Sequence, residues 1–186
     1  MSRIPYPDPA ELSEAKRAGL SAPGRRVLNV VRMAMHTPDG LWERQRDLSV
    51  ATVTMTSIDE RLREVLILTV AYLSNSDYEL FHHLSIARNL GMSEATIEAI
   101  ARGDYAALGD EARTVARFTA ELVRDVSPSD ETLAAARAMF SDATIFEMIA
   151  IIGVYMMTAR VVAVGGCEPD SAAVASWSQE TAARAS

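Results

Sequence analysis

Glu79 and His83 stand four residues apart, and a further acid, Glu64, lies fifteen residues before Glu79. On a helix, side chains four apart lie on one face. An imidazole with an ordinary pKa of about 6.5 gives and takes protons at neutral pH. A carboxylate beside it can orient the ring or exchange that proton. The chemistry these residue types suit is acid/base catalysis. Each also has a plainer use. Glu79 would complete a helix cap with Ser76, and His83 would serve as a hydrogen-bonded core histidine. Glu64 would form an ion pair with Arg160, or with Arg61 or Arg63 of another subunit.

Two helices must position these groups. Ser57-Ile58-Asp59-Glu60 and Ser76-Asp77-Tyr78-Glu79 both read as capping boxes. The first opens a predicted helix over 57–74, with Leu62, Val65, Leu66, Thr69, Val70 and Leu73 on one side. The second opens one over 76–90, stopped by Gly91. A link this short makes the two helices neighbours. Ser76 and Glu79 fall in a first helical turn, where the dipole favours an anion. Candidate pocket walls are Leu68, Tyr72, Leu80, Phe81, Met148, Ile152, Tyr155 and Met156. Arg160 sits in an apolar helix and needs a partner if buried, either an acid or a substrate carboxylate. His82 points about 100° away from His83, toward solvent or an interface. Consecutive histidines cannot share a face, so no metal site is expected from the three histidines and two glutamates.

The rest of the chain is helical in pattern. Residues 1–22 form an arm, extended through Pro5 and Pro7, with a short helix expected over Pro9 to Ala18. A domain over 23–166 follows. Pro23 suits a first helical position, with apolar spacing to about His36. Further helices are expected over 39–52, 93–103, 110–126, from Pro128 or Ser129 to Phe140, and from Asp142 or Thr144 to Val164. Residues 167–186 form a tail, in which Ser171 to Ala183 is either a last helix or frayed. No segment alternates as strands do. The expected class is all-α, with seven to nine helices.

Composition narrows the function. The chain has 186 residues, a net charge of −7 and a single cysteine, Cys167. Basic residues are scattered among acids, which argues against nucleic acid or an anionic membrane as partner. One thiol makes no internal disulfide and no multi-cysteine metal site. Met1 to Ala10 has no apolar core for a secretory signal, and a cytoplasmic protein is expected. The longest uncharged apolar run, Met148 to Ala159, is shorter than the ~20 residues of a membrane span and reads as a fully buried helix.

The stretch from Arg63 to Gly91 resembles the signature of the carboxymuconolactone decarboxylase and alkylhydroperoxidase-D-like superfamily. In its redox branch a Glu precedes a Cys-x-x-Cys pair by twelve residues, and a His follows the second Cys by four. Those positions fall here on Glu64, Ser76, Glu79 and His83. The decarboxylase branch lacks the cysteines and tends toward Tyr-Glu-Trp-x-x-His; here the text is Tyr78-Glu79-Leu80-Phe81-His82-His83. The run Ala87-Arg88-Asn89-Leu90-Gly91-Met92-Ser93, with Ile97 after it, continues the pattern. The resemblance implies an alkylhydroperoxidase-D-like helical bundle in a homo-oligomer (dimer, trimer or hexamer), with sites near subunit contacts. It implies His83 as proton shuttle, with Glu79 and Glu64 as its acids, and no cofactor. Ser76, Tyr72, Leu80, His82 and Arg160 are the candidate substrate-binding residues. The expected function is a decarboxylase, other lyase or isomerase acting on a small unsaturated organic acid, lactone or enone. Ser76 and Glu79 cannot replace a thiol pair, so peroxidase chemistry is the weaker expectation. A non-catalytic binding or scaffold protein is the alternative.

Overall fold

The computed structural model describes residues 2–21 and 27–170, so Pro23 and the stretch from Ser171 onward lie outside the described residues. Among the described residues the fold is all-α. The helices are α1 (Glu14–Ser21), α2 (Asn29–Ala34), α3 (Asp39–Thr54), α4 (Glu60–Leu73) and α5 (Asp77–Asn89). They continue with α6 (Glu94–Arg102), α7 (Asp110–Asp125), α8 (Asp130–Met139) and α9 (Asp142–Gly165). Single 3₁₀ turns occupy Pro9–Glu11 and Tyr105–Ala107. The first of these, capped by Asp8, takes the place of the opening turn of the helix expected from Pro9.

α4 is the centre of the molecule. Every residue from Arg63 to Ala71 is buried, so this helix is enclosed on all sides and not only on the one apolar side expected. It packs against α5, α6, α7 and α9. Leu66, Leu68, Val70, Val115, Phe118, Met148 and Ile151 fill the core around it. Met148, Ile152 and Leu68, expected as pocket walls, are spent on this packing.

The capping of α4 differs from the expected box. Asp59 is the cap, accepting the N–H groups of Arg61 and Leu62 at 2.9 and 3.3 Å. Ser57 instead donates its N–H and hydroxyl to Glu147 on α9, at 2.8 and 3.0 Å. An Asp directly before the first helical residue outcompetes a Ser two residues further back. Ser76 does precede α5, but its hydroxyl forms no cap bond. Between the helices Asn75 takes a left-handed conformation, φ 50°, which Asn tolerates. That residue makes the tight reversal that lays α5 antiparallel along α4.

α9 is longer than the apolar run inside it and is not fully buried. Ser141 caps it, and Gly166 ends it in a left-handed conformation. By length and composition it could cross a membrane. Here it packs against α2, α3, α4, α5, α7 and α8. Ile149, Ala150 and Gly153 nonetheless face outward within the run expected to be enclosed. A helix at the edge of a bundle keeps one stripe outside, whatever its composition. The arm packs onto its end: the N–H groups of Arg3 and Ile4 donate to the Gly165 carbonyl at 2.8 and 3.1 Å.

Because α4 is the common partner, a void there is felt throughout. Leu66, fully buried at 0 % exposure, gives the direct test. Leu66→Ala is expected to lower unfolding free energy by about 2–5 kcal/mol. Urea denaturation should show an earlier midpoint with an unchanged slope.

Candidate active site

The antiparallel α4–α5 pair sets Glu64 opposite His83. The His83 Nδ1–H donates to Glu64 Oε2 at 2.9 Å. An ionised carboxylate only accepts, so Nδ1 carries the proton and Nε2 is the nitrogen left for other partners. His83 therefore takes Glu64 as its orienting acid, rather than Glu79 four residues back. Burial works against a charged imidazole here, but the Glu64 charge and hydrogen bond, with the Glu79 charge, outweigh it. The His83 pKa is raised.

Glu79 stands apart from that pair. It is 2 % exposed, and neither carboxyl oxygen has a hydrogen-bond partner. The Ser76 hydroxyl beside it is also unpartnered by normal geometry. Burial pushes the Glu79 carboxyl up to about 7, with the His83 charge and the Ser76 hydroxyl pulling the other way. A carboxyl poised at neutral pH beside an imidazole is a typical feature of acid/base sites. Tyr155 from α9 completes this cluster, its ring edge-on to His83 at 5.1 Å between centroids. Burial, together with the Glu64 and Glu79 charges, keeps its phenol protonated.

These residues border a cavity of about 720 Å³ enclosed by α2, α3, α4, α5 and α9. Glu64, Glu79, His83 and Tyr155 line it, together with Arg63, Ser49, Val53 and Val154. Arg63 is 9 % exposed. One guanidinium nitrogen donates to the Val53 carbonyl at 3.2 Å. Among the described residues no acid pairs with it. Arg63 thus presents a guanidinium with no close ion-pair partner at the cavity wall. Sequence reasoning had used Arg63 only as a partner for Glu64. Its neighbour in sequence was the available signal, since the two flank one helix edge.

Other expected site residues lie elsewhere. Tyr72 and Leu80 pack against the main core, and Ser76 is buried off the cavity lining. Phe81 is exposed, edge-on to His82. Met156 also packs on the core. Arg160 is exposed and donates to the Met156 carbonyl at 2.6 Å, within its own helix. On a helix with an open stripe it reaches solvent and needs neither acid nor substrate. His82 is buried at 6 % exposure, not at the surface. It lines the cavity, and its Nε2 meets Asp170 Oδ2 at 3.2 Å. The Tyr78 hydroxyl donates to the same oxygen and accepts the Val30 N–H at 3.2 Å. The Asn29 N–H donates to Asp170 Oδ1 at 3.0 Å. Burial alone would raise the Asp170 pKa; hydrogen bonds from His82, Tyr78 and Asn29 outweigh it and hold the carboxyl down. Asp170 thus ties the chain after α9 to α2 and α5. Nothing local in the sequence marks it, because its partners are about 90 and 140 residues away. Among the described residues no three His, Cys, Asp or Glu side chains cluster as a metal site.

Residues 29–121 match the carboxymuconolactone decarboxylase family. The chain belongs to that family. A search of curated proteins finds no match. Two solved structures share the fold. One is a peroxidase-related protein with an alkylhydroperoxidase AhpD core from Ralstonia eutropha JMP134: TM-score 0.72, 17 % identity, 93 % of this chain and 94 % of that one covered. The other is a protein of unknown function from Agrobacterium tumefaciens for which an AhpD antioxidant-defence role has been suggested. It has TM-score 0.64 and 17 % identity, with 74 % of this chain and 95 % of that one covered. The match to the carboxymuconolactone decarboxylase family spans Arg63, Glu64, Glu79 and His83, whereas Tyr155 and Asp170 lie beyond it.

The raised Glu79 carboxyl makes this family member's stability depend on pH. An unfolded Glu titrates near ~4.3. Between there and about 7 the folded chain holds a proton that the unfolded chain has lost. Stability therefore falls as pH rises across that window. The raised His83 value acts with the same sign, from the ordinary imidazole range upward. Glu79→Gln is expected to flatten the lower part of the profile and to stabilise the chain near pH 8 by about 2 kcal/mol. Denaturation at a series of pH values checks this; parallel wild-type and variant profiles would exclude Glu79 as the source.

Proposed function

We propose that this protein is a cofactor-free acid/base enzyme of decarboxylase, other lyase or isomerase type. Its substrate is an unsaturated organic acid, lactone or enone. One observation carries the reading: a buried imidazole, oriented by a carboxylate, borders a large cavity beside an unpaired Arg and a second acid poised near neutrality.

Arg63 binds the substrate carboxylate. His83 works through Nε2 while Glu64 holds Nδ1 and stabilises the imidazolium. In a decarboxylation the carbon–carboxylate bond breaks and CO₂ leaves. Its electron pair passes into the conjugated carbonyl as an enolate. The imidazolium Nε2–H then protonates carbon, Glu79 passes its proton to His83, and solvent reprotonates Glu79. In an isomerisation the same imidazole removes a proton from one carbon and returns one to another. The Tyr155 hydroxyl, kept protonated, is a donor for the developing oxyanion.

The cavity also weighs against an inert scaffold, whose interior would be filled by side chains. Peroxidase action needs a thiol at the site. The chain has one cysteine, Cys167, and it is not among the cavity-lining residues.

Turnover of a panel of conjugated acids and lactones, followed by loss of ultraviolet absorbance, tests the proposal. His83→Ala should cut kcat roughly 10²–10⁴-fold with KM little changed. Arg63→Gln should raise KM for acids far more than for neutral enones. Unaltered kcat in His83→Ala would remove the imidazole from the mechanism.

A further inference from the structure

We propose that the cavity takes an amphiphilic carboxylic acid, its head on Arg63 and its apolar body against the aliphatic walls from α2, α3 and α9. This rests on the acid/base reading of the same site and adds the class of substrate.

The cavity joins one guanidinium to aliphatic walls. Its lining on α5 runs from Tyr78 to Leu90. Twelve residues of helix span about 18 Å. Glu60 and Asn89, both exposed, also line it. Arg63 lies one helical turn from Glu60 on α4. At Tyr78 the lining meets α2, through the Val30 N–H. Its aliphatic walls include Leu28, Val30, Val31, Ala34 and Val161. Of the polar groups nearby, the Tyr78 hydroxyl and His82 Nε2 are engaged by Asp170.

The volume fits the same pairing of head and body. At about 720 Å³ the chamber lies in the range that encloses a drug-sized molecule, about 300–1,000 Å³. A compact acid held at Arg63 would leave most of it as water against apolar walls, a poor use of buried surface. An acid with a hydrocarbon or ring body fills it. The register also suits the chemistry. Arg63 and Glu64 are adjacent, and Glu64 holds His83. A carboxylate on Arg63 therefore sets the carbons next to it beside the imidazole, while the inert body lies against the aliphatic walls.

The experiment is calorimetric titration of the full chain with unbranched alkanoates from butanoate to dodecanoate, each below its critical micelle concentration. Decanol serves as the uncharged control. Wild type and Arg63→Gln are titrated alike. Affinity should rise about three- to fourfold per methylene before it levels off. Decanol should bind roughly tenfold more weakly than decanoate, and Arg63→Gln should erase that difference. Val31→Trp should weaken decanoate and spare butanoate; the wild-type series decides the matter if that variant does not fold. Equal affinity from butanoate to decanoate, or decanol as tight as decanoate, overturns the proposal. A rising series with no turnover of any acid keeps the amphiphile and removes the enzyme. A flat series with His83-dependent turnover of a short acid does the reverse.

Discussion

Glu64 is a carboxylate at 3 % exposure on a helix enclosed by apolar neighbours. A charge in such a place is sustained only by a partner. His83 is that partner, at 2.9 Å across the α4–α5 pair. Much of the site follows from this bond. It fixes which imidazole nitrogen is tied and which is available. It pins the register of α5 on α4, because a slip would strand a buried charge, and breaking such a pair typically costs about 3–5 kcal/mol. The fold and the chemistry share one interaction.

The remaining charges make sense around it. Arg63 lies next to Glu64 but spends itself on a backbone carbonyl, not on the carboxylate. Glu79 faces the His83 side of α5 without a hydrogen bond, and burial holds it near neutrality. The protein thus keeps one acid paired, one acid poised and one cation unpaired along a single cavity. Asp170 accepts hydrogen bonds from α2 and α5 and ties the chain after α9 to both.

The helices were legible because their signals are local. Apolar spacing in α4, Gly91 after α5 and Gly103 after α6 each act within a few residues. Glu64, Glu79 and His83 were legible from their types and from the family resemblance. What failed was the choice among partners. Spacing joined Glu79 to His83, yet the tight Asn75 reversal brings Glu64 closer. Of the expected wall residues Tyr155 lines the cavity, and the others do not, for a related reason. α4 is enclosed on all sides, so its apolar sequence does not say which face meets the cavity and which meets α7. Leu68 and Met148 went to the core, while α2 and α3 supplied walls that no local pattern assigned to the site. Asp170 was invisible for want of any local cue.

The central claim is that Glu64 holds the His83 imidazole as a proton donor at Nδ1 with a raised pKa. The most direct measurement is an NMR titration of the His83 ring, with nitrogen shifts reporting the tautomer, in wild type and in Glu64→Gln. The account predicts a wild-type pKa above the ordinary imidazole value, with Nδ1 carrying the proton in the neutral ring, and a lower pKa in the variant. The same pKa in both proteins, or a wild-type neutral ring protonated at Nε2, would contradict it.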